Sequence, residues 1–111
     1  MPYIAKHRHA PVSPRKARRL TQLIVGKSVS EALVMLQFQP QRSARLLYHV
    51  LRSAQANAED QGVRDVDNLM VKKAHVDEGM RMKRWRPRSR GSAAPYVKRR
   101  SHIAVELDLR S

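Results

Sequence analysis

The chain contains no cysteine, which rules out disulfides and thiolate metal sites and fits a reducing cytosol. It has no apolar run approaching the roughly 18 residues of a spanning helix, so a transmembrane role is excluded. The N-terminal MPYIAKHRHA lacks the apolar core of a secretory signal, and none is expected. Internal repeats and low-complexity linkers are missing too, so residues 1–111 are expected to form one domain. Above all the chain is short of acid, with 9 Asp and Glu against 23 Lys and Arg and a net charge of +14. Such a charge argues about partners rather than fold, and the partner it fits is a polyanion. An anionic membrane surface is the competing reading, because basic amphipathic helices also bind lipid.

What is present is first helical, then alternating. Residues 3–9, YIAKHRH, read as a short strand. Ser13-Pro14 gives a helix start, with Ser as N-cap and Pro at the first helical position. Ala17, Leu20, Thr21 and Ile24 follow at helical spacing up to a stop at Gly26. Ser28 and Glu31 have the spacing of a capping box, opening a second helix through Ala32, Leu33 and Leu36 that Pro40 ends. A third fits residues 41–60, with Ala44, Leu47, Tyr48, Leu51, Ala54, Gln55 and Ala58 along one stripe before Gly62. Its small alanines point to close packing. Residues 68–76 then read as a strand with an ambiguous face and an expected bulge. In residues 101–109, Ser101, Ile103, Val105, Leu107 and Leu109 alternate with His102, Ala104, Glu106 and Asp108.

Between these strands lies MKRWRPRSRGSAAPYVKRR, residues 82–100, with eight Lys or Arg and no carboxylate. It is either a disordered loop or one long hairpin turning near Arg88-Ser89-Arg90-Gly91-Ser92. Pro87 and Pro95 do not suit a central ladder, but an isolated ribbon is all edge. Ten residues per arm would reach roughly 33 Å. So dense a charge with no acid between Gly79 and Val105 points to RNA contact. Arg81, Lys83, Arg84, Arg86, Arg88, Arg90, Lys98, Arg99 and Arg100, with His102, are the candidates. Trp85 and Tyr96 either stack on bases, worth about 1–3 kcal/mol per base, or pack on each other across the ribbon. Arg15, Lys16, Arg18 and Arg19 form a one-sign helix face suited to phosphate. Lys6, His7, Arg8 and His9 extend the basic surface. With no third ligand nearby, the His7-x-His9 pair is read as a stacking or phosphate contact and not as a metal site.

Asp77 and Glu78 admit a nuclease reading. No activated nucleophile, Gly-rich phosphate loop or zinc signature accompanies them, so they are read as turn residues or arginine partners. A DNA-binding role for the first helix and a basic arm is the runner-up. It wants dimer symmetry or a base-reading helix, and neither is evident.

The segments IAKHRHAPVSPRKARRL, GKSVSEAL, SAQANAED and VDEGMRMKRWRPRSRGSAAPYVKRRSHIAVEL occur in this order along nearly the whole chain. Together they resemble the bacterial large-subunit ribosomal protein family L twenty-two. That resemblance implies an α+β fold: three helices packed on a small three-stranded antiparallel sheet, with a long protruding β-hairpin over residues 79–100. It implies a structural, non-enzymatic constituent of the cytoplasmic large ribosomal subunit that needs no cofactor and supports subunit assembly. Its partners would be several segments of 23S rRNA, neighbouring large-subunit proteins and the nascent polypeptide. No membrane and no homo-oligomer are implied. The body would sit near the outer opening of the exit tunnel, with Lys83, Arg84, Trp85, Arg88 and Arg90 on the tunnel wall. The chain departs from the family pattern at Trp85, at Ser92 after the tip glycine, at Arg100 and at Pro95, which is expected to shorten pairing on the returning arm.

Overall fold

A computed structural model describes residues 3–87, 89–91 and 93–109. Strand β1 (Tyr3–Ala10) is followed by helices α1 (Pro14–Ile24), α2 (Val29–Gln37) and α3 (Arg42–Asp60). A short 3-10 turn (Val66–Asn68) leads into the long strand β2 (Leu69–Pro87), and a second one (Ser89–Gly91) connects it to β3 (Ala93–Leu109). The sheet is antiparallel in the order β1-β3-β2. The α+β arrangement of three helices on a three-stranded sheet with a protruding hairpin is therefore present.

Each helix follows from its pattern. In α1, Pro14 presets the first turn, and Pro14, Ala17, Leu20, Thr21 and Ile24 form the buried face. Gly26, at φ +85°, takes the left-handed turn that ends it. Its N–H donates to Val71 O at 2.8 Å, so the stop residue also ties the helix to β2. The Ser28 hydroxyl accepts from the Glu31 N–H at 3.3 Å, the capping half of the expected box. Along α3, Ala44, Leu47, Leu51, Ala54 and Ala58 are fully buried. Burying each leucine contributes about 1.5–3 kcal/mol, and the alanines let the helix lie close to the sheet. Asn57 of α3 donates to Ile4 O on edge strand β1 at 3.1 Å.

Central strand β3 carries Ile103, Val105 and Leu107 into the core with no exposure. Ser101 is fully buried and donates to Val12 O at 2.6 Å. Leu109, expected on the same face, is 47% exposed at the end of the strand. Along the body, between Met70 and Val76, the free edge of β2 is covered rather than left open. Val71 pairs with Gly26 and Lys27, Met70 bridges to Ser28, and the Arg18 Nε donates to Val76 O at 3.0 Å.

The strand expected over residues 68–76 continues without a break to Pro87. Its register shifts twice, between Val71 and Lys73 as the expected bulge and between Glu78 and Arg81 where the ribbon leaves the body. Pairing then runs from Arg81–Arg99 to Pro87–Ala93. Pro95 therefore does not shorten it: the ladder passes the Trp85–Pro95 pair and goes on to the turn. Arg90 (φ 62°) and Gly91 (φ +73°) reverse the chain. The molecule measures 62 × 24 × 18 Å with a radius of gyration of 16.9 Å, against about 13 Å for a compact chain of this length.

Candidate nucleic-acid interface

Successive side chains of a strand point to opposite faces, and register partners share a face. On the ribbon this puts Arg81, Lys83, Trp85 and Arg99 on one face and Arg84, Arg86 and Lys98 on the other. All seven are exposed. A ribbon charged on both faces has no side suited to an apolar core, and a two-stranded ribbon is marginal alone in water. Arg90 is exposed at the turn, whereas Arg100 is half-buried at the root. Arg88 and Ser92 lie outside the described residues. Arg81 is partly neutralised, its guanidinium lying 3.0 Å from Glu78. At 59% and 54% exposure that pair contributes little.

Trp85 is 65% exposed. The register sets it opposite Pro95 and sets Tyr96 opposite Arg84. The backbone therefore does not place the two aromatics as a cross-strand pair; the Tyr96 side chain lies outside the described residues.

On α1, Arg15, Lys16 and Arg19 are exposed on the side away from the core. Arg18 turns to the sheet, where its Nε is engaged by Val76 O. The sequence treats these four cations alike, and the structure divides them into three that face outward and one that also docks the helix.

On β1, Lys6, Arg8 and His9 are exposed and His7 is half-buried. The His7-x-His9 pair is split by a bulge. His7 stays in the ladder opposite Ile103, whereas His9 adopts φ 55° and donates its N–H to His102 Nδ1 at 3.1 Å. The two rings meet edge to face, 4.6 Å between centres. With Nδ1 accepting, Nε2 of His102 remains as the ring's donor toward a partner. These residues, with Lys6, Arg8, His75 and Asp77, border a hollow of about 360 Å³. Among the described residues no three His, Asp or Glu groups are arranged to hold a metal.

Asp77 and Glu78 do not end a strand but lie within β2, opposite His102 and Ser101. As strand neighbours they face opposite sides, so they do not converge on one reaction centre. Asp108 is held below the usual aspartate range, chiefly because the Leu109 N–H donates to it at 2.8 Å, with Lys72 at 3.5 Å adding to the effect.

One residue escapes the sequence reading. Arg42 opens α3, where a cation opposes the helix dipole, and no hydrogen bond or ion pair engages its side chain among the described residues. It joins two adjoining hollows that share Pro11. One, of about 490 Å³, takes in Lys16 and Arg19 of α1. The other, of about 410 Å³, takes in Lys98, Arg99 and Arg100 at the hairpin root. The result is a continuous basic track from α1 to the ribbon. A lone Arg at a helix start carries no pattern by which to find it.

Known proteins resemble this chain over nearly its whole length. The family model described as ribosomal protein L22p/L17e matches residues 5–108. The chain is 48% identical over 101 residues to the large ribosomal subunit protein uL22 of Lactobacillus delbrueckii subsp. bulgaricus, covering 91% of this chain and 86% of that one. It is 49% identical over 96 residues to uL22 of Syntrophobacter fumaroxidans (86% and 87% covered). With uL22 of Syntrophotalea carbinolica the identity is 45% over 104 residues (94% of each).

Proposed function

The chain belongs to the ribosomal protein L22p/L17e family, and on that premise we propose that it binds 23S rRNA through its basic surfaces, lines the peptide exit tunnel with its hairpin and supports subunit assembly. Membership makes it a structural protein of the large ribosomal subunit rather than an enzyme. The observation that carries the finer reading is the ribbon beyond Gly79, basic on both faces and without a core.

In water the ribbon's like charges repel one another. Between rRNA helices the phosphates neutralise them and release condensed counterions, so that the RNA supplies the environment in which the ribbon is stable. Arg81, Lys83, Arg84, Arg86, Arg88, Arg90, Lys98, Arg99 and Arg100 make these contacts. Lys6, His7, Arg8, His9 and His102 on the sheet, and Arg15, Lys16, Arg18 and Arg19 on α1, hold the body to further segments. Shape rather than sequence is read, because the A-form major groove is too narrow for side chains. The outer part of the ribbon, with Lys83, Arg84, Trp85, Arg88 and Arg90, lines the tunnel and meets the nascent polypeptide. Residues 1–111 act as one domain in the cytoplasm, with residues 79–100 as its basic arm and neighbouring large-subunit proteins around its body.

Sedimentation of a cell lysate tests this. Nearly all of the protein should travel with large subunits and stay there through a moderate salt wash. Recovery mainly as free protein, or with the nucleoid, would contradict the reading.

A further inference from the structure

The hollow of about 490 Å³ between α1 and α3 is built differently from the open basic surfaces. Its floor is carbon: Pro11, Val12 and Leu20. Lys16, Arg19 and Arg42 stand around it. Two helices begin at it, α1 after Ser13 and α3 after Gln41, and neither cap residue's side chain engages its helix. Neither helix has an acid in its first turn. Backbone N–H groups at two helix starts are thus left for an outside acceptor, where the dipoles favour an anion. Ser43 supplies an independent sign. It lines the hollow, is only 5% exposed, and its hydroxyl makes no hydrogen bond among the described residues. The hydroxyl oxygen itself is open at the wall of the hollow, so it can exchange water for an oxygen of a ligand.

A phosphate alone has no use for the apolar floor, and a base-paired nucleotide cannot present its base to it. The volume lies in the range of small-molecule sites, about 300–1,000 Å³. We propose that this hollow is a nucleotide subsite that receives one unpaired nucleotide extruded from the rRNA. The base lies on Pro11, Val12 and Leu20, while its phosphate is met by Arg42, Arg19 and the Ser43 hydroxyl. Extruded bases are the form in which RNA offers its faces to side chains. The inference rests on the rRNA-binding reading and adds a defined pocket to it.

The test titrates the isotopically labelled full chain with three probes: a single-stranded oligoribonucleotide, a blunt RNA duplex of equal charge, and inorganic phosphate. Amide shifts of Ser13, Arg42 and Ser43 report the hollow, and those of Lys83 and Lys98 report the ribbon. The single strand should move the hollow amides saturably, and the duplex and free phosphate should do so at least about tenfold more weakly. R42Q, at an exposed position, should weaken the single-strand response by about tenfold or more, the loss expected for a charge-assisted contact. An equal response to phosphate would overturn base insertion. A silent hollow with responding ribbon amides would overturn the subsite and leave the rRNA reading standing. If no amide responds to any RNA, the rRNA reading falls and the subsite falls with it.

Discussion

Gly79 stands at the register shift where the ribbon leaves the body, and a Cβ built there would come within 3.1 Å of the Arg100 carbonyl carbon and oxygen. The need is for close approach, not for an unusual backbone angle. G79V must push two paired strands apart, and such overpacking costs about 1–3 kcal/mol. In a chain of this size that lowers Tm by several degrees, about 4–8 °C per kcal/mol, and G79A should do less; calorimetry reads both. Asp108 gives a second expectation. Its carboxyl is held below the ordinary aspartate value, so its contribution to stability is present above the unfolded value of about 4 and fades as pH falls through the folded one. D108N should therefore remove acid sensitivity only below about pH 4, read by thermal melts across pH. Single residues are also where the sequence is least legible. Arg18 and Arg19 are adjacent and chemically identical, yet among the described residues only Arg18 of the two donates to a strand carbonyl, Val76 O. That carbonyl lies 58 positions further along the chain, and no local pattern encodes such a meeting.

The helices are the most legible elements, because burial of one face imposes a period of 3.6 that residues 14–60 display openly. Strand β2 is harder. Its first part is patterned by the core, but beyond Gly79 no burial imposes alternation, so residues 69–76 are readable and the continuation to Pro87 is not. The resemblance to a known family, rather than periodicity, decides between loop and hairpin there. Two outcomes follow for these elements. Replacing Arg15, Lys16 and Arg19 of α1 by Gln should flatten the log–log salt dependence of rRNA binding by about 2–3, at 0.7–0.9 per phosphate contact, with Tm unchanged. R18Q should instead lower stability by roughly 1 kcal/mol through its lost contact with Val76. Among the described residues, replacing residues 82–98 by a short Gly-Ser turn removes no member of the buried core, and loop-closure entropy changes slowly with length. The cooperative melt should persist. Failure of the shortened chain to fold would show that the ribbon supports the body.

At the scale of the whole molecule, a body of helices on a sheet and a ribbon extend together over 62 Å, and a net charge of +14 covers both. The body is stabilised by its own apolar core, whereas on the proposed reading the ribbon is stabilised by an outside polyanion. The proposed partner is rRNA along the exit tunnel. The absence of cysteine allows a direct measurement, because a single introduced thiol is then the only attachment point for an iron chelate that cleaves nearby RNA. R90C places the chelate at the ribbon's turn and F38C places it on the body, where Phe38 is 81% exposed at the end of α2. In reconstituted large subunits, R90C should cut 23S rRNA at nucleotides lining the tunnel interior, and F38C only nucleotides near the outer surface. Cleavage from R90C confined to the outer surface, or none at all, would contradict the claim.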